Sequence, residues 1–100
     1  MVQLEQKEEK LQVLLSGDID HHTAREMREV IDKRIEEIHP KRLILDFKGV
    51  TFMDSSGIGL VMGRYKQMQY YNGEVQVVNT SSHIKRVMIL AGLDKLAVFE

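Results

Sequence analysis

Apolar residues along this chain switch between two spacings, and that switching limits the fold more than any other feature. Val2 and Leu4, then Leu11, Val13 and Leu15, alternate with polar neighbours, the period of strands with one buried face. Glu8-Glu9 lies between them, so residues 2–7 and 10–16 are predicted to form a β-hairpin that Gly17-Asp18 breaks. From Ala24 the period changes. Ala24, Met27, Val30, Ile31, Ile35 and Ile38 recur at helical spacing and make one apolar stripe. Thr23 with Glu26 fits a capping box at its start, and Arg28–Asp32 and Glu29–Lys33 are opposite charges four residues apart on the wet face. His39-Pro40 ends the helix, because a residue before proline avoids the α region.

Leu43-Ile44-Leu45-Asp46-Phe47 is a short apolar run with the look of a central strand, parallel to a neighbour. Val50–Met53 is expected as the loop after it. A second helix is predicted from about Ser56 to Tyr71, burying Ile58, Val61, Tyr65 and Met68, with Asn72-Gly73 as a left-handed C-cap. Glu74–Val78 reads as a strand. Thr80, Ser81 or Ser82 can cap a third helix that buries Ile84, Val87, Met88 and Ala91 and ends at Gly92. Leu93–Phe99 is a last apolar piece, a strand or a docking tail. The order β-β-α-β-α-β-α predicts an α/β fold, a mixed sheet with helices packed over it. At 100 residues this is a single domain, 1–100.

Composition removes several function classes. Lys and Arg total 14 against 15 Asp and Glu, a net charge of -1 with no basic stripe, so a nucleic-acid partner is not expected. There is no cysteine, which excludes disulfides, thiolate metal sites and a Cys nucleophile. The first residues lack the apolar core of a signal peptide, and no apolar run approaches the ~20 residues needed to span a bilayer. The expectation is a cytoplasmic protein with no membrane contact.

The chemistry concentrates in Phe52-Met53-Asp54-Ser55-Ser56-Gly57-Ile58-Gly59, between a buried strand and a helix. The first N–H groups of a helix are unpaired and carry the positive end of its dipole. Such a terminus accepts an anion, including a phosphate on one of its own serines. Asp, Ser and Gly before a helix are ordinary capping residues. Here, however, there are two hydroxyls where a cap needs one, and Gly57 and Gly59 cost the helix about 1 kcal/mol each relative to alanine. Bare backbone at an exposed turn suits close approach by another protein. A nucleotide reading fails, since Gly57–Gly63 misses the dinucleotide fingerprint and no P-loop lysine follows. A serine hydrolase is weak because Ser55 is not in a G-x-S-x-G elbow.

Asp18-Ile19-Asp20-His21-His22-Thr23 is the second cluster. Adjacent histidines diverge and no third ligand is spaced to join them, so capping by Asp20 or Thr23 is favoured over a metal site. With parallel strands, this loop and the Ser55 loop leave the sheet at the same edge. In Arg64-Tyr65-Lys66, Tyr65 is expected in the core and both cations in solvent. Met53, Met62, Met68 and Met88 fit core positions, and His39 and His83 read as surface or loop residues.

Gly17–Ala24, Phe52–Gly59 and Gly63-Arg64-Tyr65-Lys66-Gln67 together resemble the anti-sigma factor antagonists of the STAS domain family, most of all its sporulation branch. The resemblance implies a STAS fold: a mixed sheet of four or five strands with helices mainly on one face. It further implies a non-catalytic switch, without cofactor or metal. In that switch the unphosphorylated antagonist binds an anti-sigma factor serine kinase and frees its sigma factor. The kinase phosphorylates the serine after the Asp, here Ser55, and a phosphoserine phosphatase reverses it. The implied partner-binding residues are Asp20, Asp54, Ser55, Ser56, Gly57, Ile58 and Gly59. Family members commonly carry another helix after the last strand, where this chain reaches Phe99-Glu100. Alternatives are a STAS regulator of a stress-response sigma factor or lipid-transport complex, or a small serine hydrolase.

Overall fold

The computed structural model describes all 100 residues. The elements are β1 (Val2–Lys7), β2 (Lys10–Ile19), α1 (His21–Ile38), β3 (Arg42–Met53), α2 (Ser55–Tyr70), β4 (Glu74–Val78), α3 (Ser82–Leu90), a 3-10 turn (Leu93–Lys95) and β5 (Val98–Phe99). The strands form one sheet in the order β1-β2-β3-β4-β5. β1 runs antiparallel to β2, and every other pairing is parallel. This is the mixed, five-stranded α/β sheet that a hairpin and three crossovers produce.

Register explains the core. Leu11 pairs with Leu43 and Leu43 with Val75, while Val13 pairs with Leu45 and Leu45 with Val77. Paired residues share a face, so these rows make one continuous apolar surface. Met27, Ile31 and Ile35 of α1, Leu60, Val61 and Met68 of α2, and Ile84 and Met88 of α3 all join it in a single cluster. The alternate residues Gln12, Ile44 and Gln76 line up on the opposite face. Truncating one of the core leucines to alanine is worth about 2–5 kcal/mol.

Several local expectations need correction. β2 continues through Gly17-Asp18 to Ile19, absorbing the break as register shifts, because it finds a parallel partner in Val50–Met53. Those four residues are therefore strand and not loop; Gly17 pairs with Val50, Asp18 with Phe52 and Ile19 with Met53. Val30, expected in the core, is exposed, and so is Ala91. Ile58 and Tyr65 are only half-buried. α2 begins one residue earlier than expected, at Ser55.

Helix ends follow the expected chemistry. His39 adopts a left-handed conformation (φ 46°) after α1, Asn72 does so (φ 59°) after α2, and the Gly73 N–H donates back to the Met68 carbonyl at 2.8 Å. Ser81 caps α3, its Oγ accepting from the Ile84 N–H at 3.2 Å. The His39 and Tyr71 rings stack at 4.2 Å, closing the far ends of α1 and α2 together.

Candidate functional site

Because β2 and β3 are parallel, the loops that follow them leave one edge of the sheet side by side. Two hydrogen bonds stitch them. The Asp54 N–H donates to the Ile19 carbonyl at 3.1 Å, and the Thr51 hydroxyl donates to the Asp18 carboxylate at 2.9 Å. Asp20 follows Ile19 and Asp54 follows its sheet partner Met53, so the two acidic caps sit on adjoining strand ends.

Asp20 is the N-cap of α1. Its Oδ1 accepts from the His22 and Thr23 N–H groups, both at 2.9 Å, and the Thr23 hydroxyl accepts from the Asp20 N–H at 2.9 Å. The reciprocal box thus joins Asp20 to Thr23, and the Thr23–Glu26 box read from sequence is replaced; Glu26 instead lies 3.2 Å from His22. The Thr23 backbone N–H is the main reason the Asp20 carboxyl titrates below the usual aspartate range.

Asp54 caps α2 in the same manner, its Oδ1 accepting from the Ser56 N–H at 2.8 Å. That contact satisfies one orphan donor and leaves Ser55 as the first helical residue, exposed to solvent. Ser56 and Ile58 are half-buried and Gly59 is exposed with open space over its Cα. Gly57 behaves differently from the outward-facing backbone expected of it. It is buried, and a Cβ built there would strike the Cγ and Sδ of Met53. Its bare Cα lets α2 seat on the end of β3, so Gly59 alone supplies the outward bare patch. Phe52, one position before Met53, is 54% exposed beside this tip; its strand-period position across from Asp18 is the signal that marks it.

The largest departure is Arg64. It is 5% exposed, not solvated, and its Nε lies 2.8 Å from Asp32 Oδ1 of α1. Asp32 therefore serves Arg64, and neither the Arg28–Asp32 nor the Glu29–Lys33 surface pair forms. The two atoms are close without the alignment of a hydrogen bond. Burial raises the Asp32 carboxyl and lowers the Arg64 guanidinium, each partner's charge opposing the shift. Lys66 is exposed, as expected. No helix is long and apolar enough to cross a membrane.

A single layer of helices over this sheet, with an acidic cap, a serine and glycines at the tip of α2, is the architecture of one family: the chain belongs to the STAS domain family, whose sequence model matches residues 1–100. Within it, the chain is 35% identical to the anti-sigma F factor antagonist of Paenibacillus polymyxa over 95 residues, covering 95% of this chain and 81% of that protein. Its fold matches that of the anti-sigma factor antagonist SpoIIAA in its unphosphorylated form, with a TM-score of 0.86, 30% identity, and coverage of 100% of this chain and 88% of that one. The Bacillus cell fate determinant SpoIIAA in the phosphorylated form gives a TM-score of 0.79 and 31% identity, over 100% and 91% of the two chains.

Proposed function

We propose that this protein is an anti-sigma factor antagonist that acts by partner binding, without catalysis of its own, and is switched off by phosphorylation of Ser55. The observation that carries this is the exposed Ser55 at the first position of α2, beside its acidic cap Asp54 and on the edge shared with Asp20. The docking footprint comprises Asp20, Asp54, Ser55, Ser56, Ile58 and Gly59, with Gly57 acting from beneath by seating the helix. The partner is an anti-sigma factor that is also a serine kinase; its displacement frees the sporulation sigma factor, and a phosphoserine phosphatase resets the switch. This is cytoplasmic chemistry carried out by one STAS domain. That SpoIIAA exists in phosphorylated and unphosphorylated forms supports the reading.

Phosphorylation works here through charge at the interface. The Ser55 Oγ attacks the γ-phosphorus of ATP on the kinase, the bond to ADP breaks, and the hydroxyl proton passes to a base on the kinase. The product carries about −1.5 to −2 charge. The dipole of α2 favours that charge by roughly 0.3–2 kcal/mol, and Asp54 next door opposes it, so the fold changes little. Burying the dianion against a partner costs several kcal/mol, and each 1.4 kcal/mol weakens binding tenfold.

The test is incubation with the host's anti-sigma kinase and ATP, read by intact mass and by peptide mapping. A gain of one phosphoryl group on Ser55 is expected, with binding lost on modification. Equal binding by both forms, or phosphate on another residue, overturns the reading.

A further inference from the structure

Between the first turns of α1 and α2 runs a groove of about 290 Å³. Its walls include His21, Arg25 and Arg28 from α1 and Ser56 and Gly59 from α2, and no carboxylate lines it. The spacing of His21, Arg25 and Arg28 places all three on one face of α1. Arg25 and Arg28 put two fixed positive charges on that face of a chain whose net charge is -1.

The arginines are not occupied from within. Asp32, one turn on from Arg28, is held by the buried Arg64 at 2.8 Å. The remaining contact ion pairs are His22–Glu26 and Arg42–Glu74, so neither Arg25 nor Arg28 is in contact with a carboxylate, although the Arg28 charge still acts on Asp32. Both side chains are exposed.

We infer that this groove receives a carboxylate-bearing segment of the protein that docks at Ser55, and that Arg25 and Arg28 steer and orient it. The inference rests on the docking function proposed above and adds the chemistry of the partner. Two observations select the occupant. The guanidinium forks suit oxyanions that present two oxygens side by side, as a carboxylate and a phosphate both do. The groove, however, has no Phe, Tyr or Trp in its wall and only Ala24 and Leu60 as apolar lining, and the single His21 ring does not make a pocket for the base of a nucleotide. It is also continuous with the docking tip through Ser56, so a protein bound over Ser55 covers it. A phosphate on Ser55, one residue from that wall and within the ~8 Å screening length at physiological salt, repels the same acidic segment.

The experiment measures association and dissociation rates of the full-length protein with the kinase that modifies Ser55. It compares wild type, Arg25→Glu, Arg28→Gln and Arg25→Lys at low and high salt. Each loss of a groove charge is expected to slow association about tenfold at low salt, with the rates converging in high salt and Arg25→Lys remaining close to wild type. An acidic residue of the kinase changed to lysine should restore association with Arg25→Glu. Unfolding midpoints, expected to be unchanged, separate these effects from misfolding. Association rates independent of Arg25 and Arg28 overturn the inference while leaving the Ser55 switch intact, whereas a wild-type protein that does not bind the kinase removes the switch itself. Titration of the free protein with ATP, followed by the NMR signals of the two guanidinium groups, is expected to show no saturable shift. A saturable shift there would assign the groove to a nucleotide phosphate instead.

Discussion

Arg64 Nε lies 2.8 Å from Asp32 Oδ1 and joins the middle of α2 to the middle of α1. The two partners are unequally placed: the Arg64 side chain is 7% exposed and that of Asp32 31%. Losing either one therefore has a different consequence. Asp32→Asn strands a buried guanidinium and is expected to cost about 3 kcal/mol. Arg64→Met leaves a carboxylate that is only partly covered, with one oxygen buried, and is expected to cost less than Asp32→Asn. Urea unfolding of the two variants, with the double variant closing the cycle, checks the asymmetry.

Two glycines two residues apart should respond in opposite directions. Gly57→Ala drives a methyl into Met53 and is expected to destabilise by about 1–3 kcal/mol. Gly59→Ala meets open space in a helix and is expected to stabilise by up to about 1 kcal/mol while weakening partner binding. Thermal unfolding and a binding titration on the same samples separate the two effects.

Asp20 carries a pH dependence with a definite sign. Its carboxyl is held below the usual range, chiefly by the Thr23 N–H, so the unfolded chain takes up its proton first. The stabilisation is therefore present above the ordinary aspartate value of about 4 and is lost as pH falls through the lower folded value. Asp20→Ala should be less stable than wild type at neutral pH, with the gap narrowing below about pH 4. A gap that widens in acid would contradict the capping role.

Ser55 should be nearly silent for stability. Ser55→Ala is expected to stay within about 0.5 kcal/mol of wild type, as surface changes do, to bind the kinase and to resist modification. Ser55→Asp is expected to keep its unfolding midpoint while losing at least tenfold in affinity. Calorimetric melting alongside a binding isotherm tests both, and a large drop in the midpoint of Ser55→Asp would point to refolding as the switch.

The hairpin, three helices and parallel sheet were legible because period 2 and period 3.6 are local signals, as was the cap at Asn72; for α1 and α3 the sequence left Asp20 or Thr23, and Thr80, Ser81 or Ser82, and the structure selects Asp20 and Ser81. The Asp54–Ser55 start of α2 was legible as a helix terminus, with Asp54 as its cap and Ser55 exposed. What escaped depends on partners distant in sequence. Val50–Met53 looked like loop because its ladder partner, Gly17–Ile19, lies some thirty residues earlier and contains a glycine that reads as a break. Arg64 looked solvated because its burial is compensated by Asp32, on another helix. Gly57 looked like exposed backbone because its constraint is a side chain on the preceding strand.

The hydrogen bond from Asp54 to the Ile19 carbonyl has an evolutionary consequence. Lengthening either loop would drag the other, so the spacing between the two caps is not free to drift. Any difference in partner choice between chains of this fold is then left to exposed side chains such as those at positions 25 and 28, on a tip whose backbone stays the same.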